Sequence, residues 1–106
     1  MPEFQTLRFT ATLYLFRREE GGRATAFVMG GAKYRPQFRL NGSGPSSSCF
    51  IDAISGEQRM APGERQTVEM SLLHPEYFHG QLGPGTKFEI CEGPKVVGTG
   101  VIREIN

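Results

Sequence analysis

A chain of 106 residues with a formal net charge of +1 is one domain, large enough for a single core but close to the size where burial is marginal. Fourteen glycines, seven prolines and eight phenylalanines, with no long helix-favouring run, point to short strands joined by tight turns. No apolar run approaches the length of a membrane span, and the N-terminus lacks the basic start and apolar core of a signal peptide, so the expectation is a cytoplasmic, soluble protein without a membrane partner.

Residues 6–17 alternate, with Leu7, Phe9, Ala11, Leu13 and Leu15 on one face and Thr6, Arg8, Thr10, Thr12 and Tyr14 on the other, as a half-buried strand requires. Glu19 to Arg23 follows, where Gly21-Gly22 reads as a tight hairpin turn, and the chain returns through Ala24 to Met29. After the break at Gly30 to Lys33, Tyr34 to Leu40 reads as a strand. Its Pro36 cannot donate a ladder hydrogen bond, so it belongs at an edge, a bulge or the strand start.

Asn41 to Ser48 is rich in Gly, Ser and Pro and reads as a loop, and Cys49 to Ile54 as a short apolar strand. Met60 to Glu64 is a turn, after which residues 65–73 alternate with Val68, Met70 and Leu72 inward. Residues 74–85 form the longest irregular stretch. Phe88 and Ile90 mark a strand, Glu92-Gly93-Pro94-Lys95 a hairpin turn, and Val96 to Ile105 the last strand. Alternate glycines at 98 and 100 let a strand coil or another backbone approach, which favours a barrel over a sandwich. The expected fold is all-β, a six-stranded antiparallel barrel filling residues 1–106.

The charge is unevenly placed. Residues 1–40 hold seven basic residues against three acids, and the remainder five against eight, so the parts carry +4 and −3. The first part is a candidate anion-facing surface, although solvated strand faces need charges of some sign in any small domain. Read as neighbours along a folded hairpin, Arg17, Arg18, Arg23, Lys33 and Arg35 form one patch able to grip phosphates of an A-form stem without reading its sequence.

Catalytic and cofactor signatures are missing. There is no GxxxxGK[ST] phosphate loop, and the Gly-rich segments do not open a helix after a strand. His74 and His79 lack the third converging ligand of a metal site, and Glu19 and Glu20 are solvated turn residues rather than a catalytic pair. Cys49 and Cys91, far apart and each in an apolar run, read as buried free thiols. The expectation is a binding module, with no enzyme activity and no cofactor.

The stretches Glu19-Glu20-Gly21-Gly22-Arg23 and Tyr34-Arg35-Pro36-Gln37-Phe38, with Met60-Ala61-Pro62-Gly63-Glu64, Leu72-Leu73-His74-Pro75 and Lys87 to Gly93, resemble the C-terminal β-barrel domain of the bacterial translation elongation factor Tu. That domain packs on a GTPase domain, contacts the nucleotide exchange factor and grips the T-stem side of aminoacyl-tRNA. The resemblance carries RNA contacts to Arg23, Gln37, His74, Glu92 and Gly93, to which the basic patch adds Lys33 and Arg35.

The departures from the family pattern fall on ligand-side groups: Ala24 after Gly-Gly-Arg, the Asn41 to Ser47 segment, and Gly93-Pro94-Lys95 before Val96. Two functions stay open. One is a translation-factor-like module that binds tRNA or another structured RNA. The other is a repurposed protein-interaction barrel that docks on a GTPase domain or exchange factor, with Tyr77, Phe78 and His79 of the longer 75–85 loop as its surface.

Overall fold

The alternation over residues 6–17 becomes β1, Leu7–Leu15, with Phe9, Ala11, Leu13 and Leu15 all fully buried. Seven further strands follow: β2 (Phe27–Val28), β3 (Gln37–Leu40), β4 (Ser46–Ala53), β5 (Arg59–Met60), β6 (Arg65–Leu72), β7 (Lys87–Glu92) and β8 (Lys95–Ile105). This computed structural model describes residues 6–30, 34–40, 42, 44–54, 58–78 and 80–106.

Six of the strands close into an antiparallel barrel in the order β1-β6-β4-β3-β7-β8, so that β1 is hydrogen-bonded to both β6 and β8. Closure removes the sheet edges that a small open sheet would leave to pair with other chains. The remaining two strands, β2 and β5, form a two-stranded ribbon with Phe27 opposite Met60.

Eight-residue β6 repeats the inward rhythm of β1 through Val68, Met70 and Leu72, and the two strands run in register from Leu7 opposite Leu72 to Tyr14 opposite Arg65. Four phenylalanines fill one part of the interior. Phe38 stacks on Phe88 at 4.7 Å and meets Phe9 and Phe78 edge-on at 5.9 and 5.2 Å. Such pairs add directionality to the burial that holds the barrel together.

The glycines of β8 act where the strand needs them. Gly100 lies opposite Phe88, and a Cβ at that position would sit 2.3 Å from the Phe88 ring. The missing side chain is therefore the space the ring occupies. Pro36 is buried at the entrance to β3, where its carbonyl accepts the backbone N–H of Cys49, which satisfies the strand-start expectation.

Two expectations are corrected. Gly21-Gly22 is not a hairpin turn, because β1 pairs with β6 and β8 and the return segment pairs only with β5. Instead Arg18–Glu20 forms a 3-10 turn ended by Gly21 at φ 92°, fastened by the Glu20 carboxylate, which accepts from the Tyr14 hydroxyl at 2.6 Å and from the Arg17 N–H at 2.8 Å. Secondly, the serine run is not loop. β4 begins at Ser46, and Ser47 continues inward the parity of Cys49 and Ile51.

Candidate functional site

At one end of the barrel, the loop after β1 and the β7–β8 turn are tied together by side chains. Arg23 forms an ion pair with Glu92, donates from Nε to the Thr25 carbonyl at 3.1 Å, and lies over the Tyr34 ring at 4.9 Å. Tyr34 stacks on Phe27 at 4.3 Å and donates its hydroxyl to Glu92 at 2.7 Å. Burial first, and then the neighbouring Glu92 carboxylate, hold the Tyr34 hydroxyl well above the ordinary tyrosine range. On the other side of the turn, Lys95 Nζ donates to the Gly22 carbonyl at 3.0 Å.

The local sequence explains this arrangement. A Cβ on Gly22 would lie 2.2 Å from the Phe16 carbonyl oxygen, so only glycine lets the loop fold back and aim Arg23 at the turn. Glu92, the last residue of β7, is opposite Lys95, the first of β8, with Gly93-Pro94 as the two-residue connection the sequence suggested.

From Glu92 a polar strip runs across neighbouring strands. Cys91, next to Glu92, is opposite Gln37 on β3, and Gln37 is opposite Ser48 on β4, to whose hydroxyl it donates at 3.0 Å. The adjoining Ser47 hydroxyl accepts the backbone N–H of His74 at 2.9 Å. The His74 ring lies 3.1 Å from the Glu76 carboxylate and stacks on Tyr77 at 4.9 Å. Arg23 and Glu92, with Gly93, thus gather at the β7–β8 turn, Gln37 pairs with Ser48 on the neighbouring strands, and His74 is held from the inward-facing Ser47; together they make up a strip of separate clusters, with exposed Arg35 two residues before Gln37.

The expected patch of Arg17, Arg18, Arg23, Lys33 and Arg35 does not form in the way the hairpin would have built it. Arg17 pairs with Glu20 at 3.5 Å, and Arg23 is turned onto Glu92 with only 19% of its side chain exposed. Lys33 and His79 lie outside the described residues. Among the described residues Arg35 has no ion pair, so it is a cation of the strip available to an anionic partner.

The loop expected to present three aromatic or imidazole groups presents fewer. Phe78 is 2% exposed and edge-on to Phe38, because the 3-10 turn Pro75–Phe78 carries it into the core, so it is a packing residue rather than a surface one. Tyr77 is 43% exposed. The sequence reading missed three participants: Tyr34 and Lys95 as fasteners of the turn, and Ser48 as the partner of Gln37. The parity of residues 47, 49 and 51 was the available sign that the serines belong to a strand.

Among the described residues no group of three His, Cys, Asp or Glu side chains could hold a metal ion. No helix among them is long and apolar enough to cross a membrane. The closed barrel with its appended ribbon defines a small all-β domain of the kind found in translation factors. The family model for the elongation factor Tu C-terminal domain matches residues 4–106, and the chain belongs to that family.

Proposed function

We propose that this translation-factor-like domain is a noncatalytic module that holds the stem of a tRNA or similar structured RNA along the strip Arg23, Arg35, Gln37, His74, Glu92 and Gly93, in the cytoplasm. The observation that carries this reading is that Gln37 on β3, hydrogen-bonded to Ser48 on β4, lies opposite Cys91, the residue before the Glu92-Gly93 turn that Arg23 holds. Because Arg23 is already paired with Glu92, recognition depends on hydrogen-bonding groups more than on net charge. Such groups suit the 2′-hydroxyls of a shallow A-form minor groove.

One unpaired arginine also sets a limit on salt dependence. A protein neutralising one or two phosphates loses affinity with a log–log slope of about −1 to −2, far shallower than a polybasic binder. Fluorescence titration of a labelled tRNA between about 50 and about 200 mM salt tests this. Micromolar binding with a shallow slope supports the reading, and no salt-sensitive binding at all in that range rejects it.

A second reading, a barrel that docks on a GTPase domain or exchange factor without touching RNA, is favoured by the exposed apolar side chains Val28, Ile54 and Tyr77. Binding to an isolated GTPase domain that Tyr77→Ala weakens, with no tRNA binding, would select it.

A further inference from the structure

The outer face of β6, β1, β8 and β7 carries a concavity of about 420 Å³, away from the strip described above. Its floor is made of small groups: Thr12, Thr99, Val101 and the Gly100 backbone, with the edge of Phe88. Arg65, Lys87 and Arg103 form its rim, and no acidic residue lines it.

Four other cations on this barrel are neutralised, Arg8 by Glu69, Arg17 by Glu20, Arg23 by Glu92 and Arg39 by Glu89, while Arg18, Arg35, Arg59 and Lys95 have no ion pair among the described residues and do not line the concavity. The three rim cations have no ion pair among the described residues. Two neighbouring acids are committed elsewhere, since Glu89 accepts both Arg39 and the Gly42 N–H, and Glu20 holds Tyr14 and Arg17. Exposed Glu104 follows Arg103 in β8 and forms no ion pair with it.

The backbone supports the convergence. Thr10 is opposite Glu104 while Ala11 is opposite Ile102, which leaves Arg103 as the extra residue of a β-bulge, a device that re-aims a side chain. Arg65 is opposite Tyr14, which is opposite Thr99, and Lys87 is opposite Val101. The rim cations on β6 and β7 are thus three strand spacings and two residues apart, about 16 Å at the backbone, and long side chains can reach one elongated central group.

We propose that this dish binds a short polyphosphate, a ligand carrying two or three linked phosphates. A single carboxylate satisfies one arginine, whereas linked phosphates offer enough oxygens for Arg65, Lys87, Arg103 and the Thr12 and Thr99 hydroxyls together. The site does not depend on the RNA strip, which uses other residues.

Amide NMR spectra of the chain titrated with inorganic tripolyphosphate at constant ionic strength test it. Saturable shifts are expected at Thr12, Thr99, Gly100 and Val101. Arg65→Gln, Lys87→Gln and Arg103→Gln each weaken binding about tenfold, the loss of one charge-assisted contact, while Arg18→Gln leaves it unchanged. Absence of saturable shifts, or shifts that persist in the variants, overturns the proposal. So does a hexaglutamate peptide that binds the same amides as tightly, which would make the dish a site for an acidic polypeptide.

Discussion

Tyr34 donates its hydroxyl hydrogen to Glu92 at 2.7 Å, and the same carboxylate oxygen receives Arg23. One acid therefore fastens the loop after β1, the entrance to β3 and the β7–β8 turn. Glu92→Gln leaves the largely covered Arg23 without its counter-charge and should cost about 1–3 kcal/mol, with Tyr34→Phe near about 1 kcal/mol. Urea denaturation measures both. An unchanged midpoint in Glu92→Gln would mean that the turn is held by other contacts.

Gly100→Ala places a methyl group inside the Phe88 ring volume. Overpacking of this kind costs about 1–3 kcal/mol. At Gly83, where a Cβ would meet nothing within 4 Å, the same change should stay within about 0.5 kcal/mol. Thermal melts of the two variants compare them directly, and equal losses would contradict the assigned packing.

Tyr77 and Phe78 are neighbours with opposite roles. Phe78→Ala should destabilise by about 3–5 kcal/mol as a core truncation. Tyr77→Ala, which removes a partly exposed ring stacked on His74, should cost about 1 kcal/mol or less. Reversal of that order in chemical denaturation would place the wrong residue in the core.

The buried thiols make the alkaline limb of stability predictable. Burial pushes Cys49 up to about 12, and burial also raises Cys91 and Tyr34. Each group is neutral in both states at neutral pH and ionises more readily once unfolded, so stability is full below the unfolded thiol pKa of about 8.5 and falls as pH rises toward the folded values. Denaturation midpoints between neutral pH and pH of about 10 should decline, less steeply in Cys49→Ala after correction for its lost packing. At pH of about 8, a thiol reagent should react slowly with the native chain and promptly with both cysteines after unfolding.

Much of the barrel could be read from side-chain parity. Phe9 to Leu15 and Val68 to Leu72 alternate strictly because one face is core and the other solvent, and the strands formed there. The loop after β1 was misread because two glycines match a hairpin turn locally, while the real partners of β1 lie more than fifty residues away at β6 and further still at β8. Ser46 to Ser48 was misread because serine composition resembles a loop, although Ser47 occupies an inward position and hydrogen-bonds His74. The chemical types of the candidate site were legible at Arg23, Gln37 and Glu92. That Arg23 is already neutralised by Glu92 was not, since ion pairs between residues 69 positions apart depend on how two turns meet.

The most direct measurement is a residue-resolved titration of the chain with a short RNA stem-loop, followed by backbone and side-chain amide NMR. Binding along the strip should shift the Gln37 side-chain amide together with Ser48, His74 and Gly93, and Gln37→Ala with Arg35→Ala should abolish these shifts without unfolding the barrel. Shifts confined to other faces, or RNA binding unaffected by that double variant, would contradict an RNA-holding role for this strip.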